Sequence, residues 1–432
     1  MRGLYIHVPF CVSKCSYCDF YSLPSRLDLV EPYVQAVLKE DSSVMASETK
    51  QSPGGRGNHA LRLPRRPDKW VGTPRNDKEN SFQTLYIGGG TPSLLGGKHL
   101  KALLAGLLGS GSSPLVREDS GEEKRPIVNP PHSSSRPRWG ERTGSYFEAT
   151  IEANPDSTTR EFLTTAKESG ITRLSFGVQS LAGAELKSVG RIHTASQAIA
   201  AIKLAQEIGF QSISADLMIG LPGQTWHSLK NSLTKLADID IQHLSVYCLS
   251  LEEGTPLAQN PPENLPSDEI QAELFDKTRE LLTQRGFIHY EISNFALEGF
   301  ECRHNLNYWH GGEYLGLGPS AASHINGKRF RNKADLDAYL KDPVAQVEYV
   351  EELPLKEKAA EEAMLRLRLL QEGLDINELA TRFGRDNITA LVKRLDAMVD
   401  EGLLNRKNTI YRLPPSRVLT SNPIFARVIA ES

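Results

Sequence analysis

Six strand-like runs, each except the last followed by a run with apolar residues at helical spacing, narrow the folds open to this chain more than any other feature. The strand-like runs are LYIHV (4–8), TLYIGG (84–89), EATIEAN (148–154), RLSFGV (173–178), SISADLMIG (212–220) and HLSVYCLS (243–250). Between them lie residues 27–40, 99–109, 158–170, 196–209 and 225–239, whose apolar positions recur with the helical period and several of which end on Gly. Strands joined by helices imply a parallel sheet with crossover connections. The expected fold is therefore α/β, a partial (β/α)6 TIM-like barrel. Functional groups of such barrels gather at the C-terminal ends of the strands. There the sequence puts a cysteine cluster after the first run, GGGTP after the second, Glu152 and Gln179 at the ends of the third and fourth, and Asp216 near the end of the fifth.

Two stretches break this texture. Residues 42–81 and 109–144 are rich in Pro, Gly, Ser and charge and show no period, so they are expected to be disordered surface insertions. After about residue 252 a helix is expected over 268–285, GFIHYEISNFA reads as a strand entering a loop, and RHNLNYWHGGEYLGLGPSAASH is aromatic, His-rich and Gly-rich. From Lys356 onward the pattern is helix, helix, helix and hairpin, a C-terminal α+β, winged-helix-like domain. The expected division is a core over 1–250, an extension over 251–350 and the C-terminal domain over 351–432. The helix faces of that last domain mix both signs, and the whole chain carries a formal net charge of −3, so no nucleic acid is expected as a partner. With no apolar run long enough to span a bilayer and no secretory signal, the expected location is the cytoplasm, with peripheral membrane contact left open.

Three of only five cysteines, Cys11, Cys15 and Cys18, fall within eight residues with the spacing C-x3-C-x2-C. An odd cysteine count in such a chain argues against a disulfide framework and for metal or redox chemistry. Three thiolates can hold an iron–sulfur cubane and leave its fourth iron open. A zinc site with His7 as fourth ligand, or a plain cysteine cluster, is the alternative. Taken singly, the residues at the strand ends also have ordinary readings. Tyr5 and Tyr17 could be core aromatics, Glu152 and Asp216 helix caps, Arg191 a surface ion pair, and GGGTP a turn. Their falling together at successive strand ends favours a site.

YIHVPFCVSKCSYC, GGGTPSLL, IEANPDS, RLSFGVQS, GRIH and DLMIGLPGQT together resemble the radical S-adenosylmethionine (SAM) superfamily. More narrowly they are similar to its oxygen-independent coproporphyrinogen oxidase branch. The resemblance covers nearly the whole chain outside the two insertions. It implies a [4Fe-4S] cluster on Cys11, Cys15 and Cys18, with SAM held on the open iron. It further implies that Gly89, Gly90 and Thr91 let the backbone approach the amino acid head of SAM, and that Glu152 meets its amino group. Tyr5 would lie beside the cofactor, Arg191 would offer a fork to a carboxylate, Gln179 and Asp216 would suit ribose hydroxyls, and Tyr17 would pack near the adenine. An electron from a flavodoxin- or ferredoxin-like donor would then cleave SAM reductively, and the cofactors would carry the hard chemistry.

Within that branch the porphyrinogen-decarboxylating enzymes carry a further cysteine two residues after the third, and extra sequence ahead of the first strand. Position 20 here is Phe20, and only four residues precede Tyr5. Both features are similar to the HemW-type haem chaperones, as is the HNxxYW pattern of His304, Asn305, Tyr308 and Trp309. The resemblance implies haem as cargo at that pattern, apo-haemoproteins as recipients, respiratory ones among them, and an ambiguous catalytic status. Imidazole is a good ligand for haem iron, and Tyr and Trp offer flat surface to a macrocycle. On residue types alone His304 could equally be a hydrogen-bonded packing residue, with Cys302 and His310 as other candidate ligands. Cys248, in an apolar strand, is expected to be inert. The rival function is the oxidase itself, a porphyrin-biosynthetic enzyme that decarboxylates two propionates.

Overall fold

The computed structural model describes residues 1–49, 82–108 and 148–430. The expected insertion over 109–144 lies outside the described residues, as does most of that over 42–81. The start of the latter is corrected, because α1, Val30–Thr49, continues past Ser42.

All six expected strands form, as β1 (Arg2–Val8), β2 (Thr84–Gly89), β3 (Glu148–Ala153), β4 (Arg173–Gln179), β5 (Ser212–Ile219) and β6 (His243–Cys248). They pair in parallel, in sequence order. Connecting helices α2 (Gly96–Leu108), α3 (Arg160–Glu168), α4 (Ala195–Ile208) and α5 (Trp226–Ala237) lie among them. Thr159, Thr194 and Thr225 cap the last three, and the latter two are full capping boxes.

The strands alternate with period 2, with an unusual assignment of faces. One face carries Ile6, Val8, Ile87, Ile151, Leu174, Phe176, Ile213, Leu217, Leu244 and Val246, each almost fully buried in the main core with the helices. The opposite face carries Tyr5, His7, Tyr86, Thr150, Glu152, Arg173, Ser175, Ser214, Asp216 and His243. The concave side is thus polar yet largely shut from solvent, and polar groups there need partners.

The aromatic, Gly-rich stretch turns out to hold a helix and a strand. After α6 (Asp268–Gln284), β7 (Ile288–His289) and β8 (Asn294–Ala296) pair antiparallel on the β6 edge. The HNxxYW residues then form the short helix α7, Arg303–Trp309. It feeds β9, Glu313–Leu317, which pairs in parallel with β1 and adds a seventh parallel strand. Strand β9 was hidden because Gly316 interrupts its apolar pattern. Gly316 is required by close approach, since a Cβ there would stand 2.1 Å from the Ala322 carbonyl oxygen. Strands β10 (Ala322–Ile325), β11 (Lys328–Asn332) and β12 (Val347–Glu351) continue antiparallel. The result is a twelve-stranded open sheet in the order β12-β11-β10-β9-β1-β2-β3-β4-β5-β6-β8-β7.

The C-terminal elements are α8 (Leu355–Arg366), α9 (Ile376–Phe383), α10 (Arg385–Asp400) and a small sheet of β13 (Leu374–Asp375), β14 (Asn405–Lys407) and β15 (Ile410–Arg412). Three helices and a hairpin agree with the winged-helix-like expectation. A further helix, α11 (Ser421–Ile429), buries Ile424, Phe425 and Val428.

Candidate functional site

The cysteine loop leaves the end of β1 and crosses the mouth of the half-barrel. Its base is closed where Leu23 N–H donates to Pro9 O at 2.6 Å, and Phe10–Cys11 pairs with Leu23–Pro24. Its far side is tied down by Ser16 N–H to Val189 O at 3.2 Å and Leu257 N–H to Ser16 O at 2.9 Å. Tyr17 packs there against an apolar cluster that includes Val189, Met218 and Leu257.

Each of the three sulfurs has its own donor. Thr91 Oγ1–H donates to Cys11 Sγ at 3.5 Å, Arg191 Nη1 to Cys15 Sγ at 3.6 Å, and the Phe20 N–H to Cys18. Anionic thiolates are stabilised by such donors, and hydrogen bonds to sulfur tune an iron–sulfur centre. The donor set therefore fits a cluster. The zinc alternative does not fit. His7 is committed elsewhere, with Nε2 2.8 Å from Tyr21 O and Nδ1 3.0 Å from the Tyr5 hydroxyl. Among the described residues no three His, Cys, Asp or Glu side chains converge on a single ion.

Gly89, Gly90 and Thr91 sit at the end of β2, beneath this loop. A Cβ on Gly90 would stand 2.5 Å from the Phe10 carbonyl oxygen, so this glycine is demanded by packing of the loop against the strand. All three N–H groups are spent inside the protein, on Glu152 Oε2, Val8 O and Phe10 O. What the strand end retains for an amino group is carbonyl oxygen.

Glu152 is not a helix cap. It projects into the concave face, where Tyr86 O–H donates to Oε1 at 2.8 Å and Gly89 N–H to Oε2 at 3.2 Å. Burial, the largest cause, pushes its carboxyl up to about 7, and nearby Asp216 adds to the rise. Asp216 faces the same interior three residues before the end of β5, bonded by Ser175 at 3.2 Å, and burial pushes it up to about 6. Arg173 and Arg191 act on Asp216 and hold its rise down, whereas no cation among the described residues acts on Glu152, which leaves that carboxyl to meet an incoming amino group. Tyr5, raised first by burial and then by Glu152, completes this wall. Gln179 ends β4 at a bulge with φ of 64°, a left-handed conformation that non-glycine residues rarely take.

Arg191 is no surface ion pair. Besides Cys15 it donates through Nη2 to Asn154 Oδ1 at 2.9 Å and to the Gly177 carbonyl, and its buried Nε has no partner. Asn154 Nδ2 reaches Thr91 Oγ1 at 3.1 Å. Asn154 thereby ties the donor of Cys11 to the donor of Cys15. Nothing in its own residue type marked that role; its place one residue beyond β3 was the available signal.

The HNxxYW residues share α7 but do not all face one cavity. His304 is fully buried, with Nδ1 2.9 Å from Thr84 Oγ1 and Nε2 2.7 Å from the Tyr308 hydroxyl, and burial holds its imidazole down at about 3. Both ring nitrogens are taken. Glu148 at the start of β3 accepts from the Arg303 and His304 N–H groups and so caps α7, a role the sequence analysis missed. Tyr308 and Trp309 line a cavity of about 490 Å³, together with Phe20, Tyr314, His324 and Arg329, whereas Asn305 does not. Cys302 is buried, and its thiol is pushed up to about 12 by burial, so it stays neutral. His310 is 2.7 Å from Glu372. Cys248 is half-buried, with burial raising it to about 11.

A parallel half-barrel whose first strand delivers a three-cysteine loop, with each sulfur supplied a donor, defines a cluster-binding radical SAM protein. The "Radical SAM superfamily" model matches residues 5–236, and the "HemN C-terminal domain" model matches 353–416. Heme chaperone HemW of Bacillus subtilis is 30% identical over the whole of both chains. Heme chaperone HemW of Escherichia coli is 32% identical over 74% of this chain and 69% of its own. The chain belongs to the radical SAM superfamily, in the branch of the HemW family. The structure of coproporphyrinogen III oxidase HemN from Escherichia coli superposes with a TM-score of 0.74 over 99% of this chain and 89% of that one. At 19% identity, that likeness speaks to the fold alone. Membership of this family implies a [4Fe-4S] cluster and SAM.

Proposed function

We propose that this protein is a haem chaperone that binds haem and delivers it to apo-haemoproteins, respiratory ones among them, from the cytoplasm. The observation that carries the reading is Phe20. Its backbone N–H serves Cys18, while its side chain, 62% exposed, lines an aromatic cavity where the decarboxylating enzymes would bear a cysteine. End-to-end relationship to proteins named heme chaperone HemW supports it. Among the described residues no helix is long and apolar enough to cross a membrane, so contact with membrane-bound recipients would be peripheral.

In this reading residues 1–250 hold the cofactors, 251–350 supply haem contacts and 351–432 pack against them. Cys11, Cys15 and Cys18 hold the [4Fe-4S] cluster. Tyr5, Gly89, Gly90, Thr91 and Glu152 surround the amino acid head of SAM, with Glu152 facing its amino group. Arg191 serves Cys15 and offers its unpartnered Nε to a carboxylate, Gln179 and Asp216 meet the ribose, and Tyr17 flanks the adenine. When bound, such a cluster takes an electron from a flavodoxin- or ferredoxin-like donor and can cleave SAM. Tyr308 and Trp309 touch haem, and His304 holds Tyr308 in place from behind.

The test is haem titration by absorbance on anaerobically reconstituted protein, beside an assay for loss of coproporphyrinogen III with SAM and reductant. Saturable stoichiometric haem binding without porphyrinogen turnover is expected. Decarboxylation without specific haem binding would make the protein the biosynthetic oxidase instead.

A further inference from the structure

From the geometry of the cavity beside the cysteine loop, we infer that His324 on β10 is the axial ligand of bound haem, with Arg329 on β11 paired to a propionate. The inference rests on the haem-chaperone reading and adds the ligand and the seat to it.

The cavity lies between the cysteine loop, the end of α7 and strands β9 to β11, on the concave side of the sheet. Its volume of about 490 Å³ falls within the roughly 300–1,000 Å³ typical of small-molecule sites. Phe20, Tyr308, Trp309 and Tyr314 give it flat aromatic walls, and Tyr308 and Tyr314 meet edge to face at 4.5 Å between ring centres. A planar macrocycle with an apolar body and charged rim is what such walls suit.

Two histidines line it, and their hydrogen bonding distinguishes them. His7 has both nitrogens occupied by Tyr5 and Tyr21. His324 pairs only through Nδ1, 3.2 Å from the Gly312 carbonyl oxygen. A carbonyl can only accept, so Nδ1 carries the proton and Nε2 holds a free lone pair. Metal-bound histidines are oriented in this way, with the distal N–H donated to a carbonyl and the other nitrogen left for the metal. His304, by contrast, would have to surrender the Tyr308 hydroxyl and leave full burial. Arg329 is held through Nη1 by Glu361, and the rest of its guanidinium has no hydrogen-bond partner among the described residues. A half-paired guanidinium at the rim suits a carboxylate.

The experiment is ferric and ferrous haem binding to the full-length reconstituted protein, read by difference absorbance and by the iron–histidine vibration in resonance Raman spectra. His324→Ala should weaken binding by about tenfold or more and abolish the iron–histidine band, and added imidazole should restore it. Ala322→Trp, an exposed strand residue of the same wall, should block binding while leaving the cluster absorbance and far-UV dichroism unchanged. His304→Ala should retain the band. If wild type binds haem but His324→Ala keeps both affinity and band, the ligand is elsewhere and the chaperone reading stands. If wild type shows no stoichiometric binding, both fall together.

Discussion

The Tyr86 hydroxyl donates to Glu152 Oε1 at 2.8 Å inside the concave face, and no Lys or Arg among the described residues forms an ion pair with that carboxyl. One hydroxyl and one backbone N–H are weak compensation for a buried charge, so burial dominates and the carboxyl rises to about 7. The sign follows directly. A group raised from 4.5 to about 7 holds its proton better folded than unfolded. The stability it lends is present below pH 4.5 and lost as pH climbs towards 7. In cofactor-free protein, Glu152→Gln should flatten that loss by up to about 3 kcal/mol. Denaturant unfolding across pH 5 to 8 reads it; an unchanged slope would remove the burial account. Asp216, raised to about 6, leaves a residual slope of the same sign.

The same carboxyl predicts how SAM affinity varies with pH. Glu152 accepts best from an amino group in its ionised form, so affinity should rise as pH passes from 6 to 8. The rise should disappear in Glu152→Gln. Calorimetric titration with SAM over that range is the measurement, and a pH-independent wild-type affinity would place the amino group elsewhere.

Arg191 offers a second test, through its donation to Cys15 Sγ at 3.6 Å. Reduction adds negative charge to a cluster, and a cationic donor to a ligand sulfur favours the reduced state. Arg191→Gln should therefore shift the reduction potential negative by on the order of 60 mV, equivalent to about 1.4 kcal/mol for one electron. An EPR-monitored redox titration reports it, and cluster iron content shows separately whether the centre is retained.

How much of this was legible beforehand depended on the range of the interaction. Cys11, Cys15 and Cys18 lie within one loop, so their spacing carried the message. The six strands carried their own apolar periodicity, and their ends located Glu152 and Gln179. Strand β9 was missed because its partner β1 is some 300 residues away and its glycine, Gly316, answers a close backbone approach rather than a local pattern. Asn154, Glu148 and His324 were missed for a related reason. Each is defined by what it touches across the sheet, and an Asn, a Glu or a His has no signature without those neighbours. His304 was visible as a motif residue, but only the structure revealed that both its nitrogens are occupied.

Gly90 is a position where shape alone should decide the outcome. A Cβ there would meet the Phe10 carbonyl at 2.5 Å and Val8 O at 2.9 Å, both backbone atoms that cannot rotate away. Gly90→Ala should cost about 1–3 kcal/mol and loosen the cysteine loop, seen as faster loss of cluster absorbance under chelator. Gly183→Ala, with open space around the new methyl, should be neutral or slightly stabilising.

The acid side of the stability profile tests His304. Burial holds its imidazole at about 3 against the usual 6.5, so the unfolded chain binds a proton that the folded one refuses. The stability it supports is whole above pH 6.5 and lost as pH falls towards 3. His193 and His289, each held at about 4 chiefly by burial, act in the same direction. Between pH 4.5 and 6.5 these histidines lower stability on acidification while Glu152 and Asp216 raise it, and the opposing slopes partly cancel in wild type. Removing one member of either set should expose the other. His304→Gln should reduce the acid-side slope by up to about 1.4 kcal/mol per pH unit, the opposite tilt from Glu152→Gln. Parallel denaturant titrations of the two variants, free of cofactor, would show divergent profiles, and a shared tilt would mean that His304 is protonated in the folded protein.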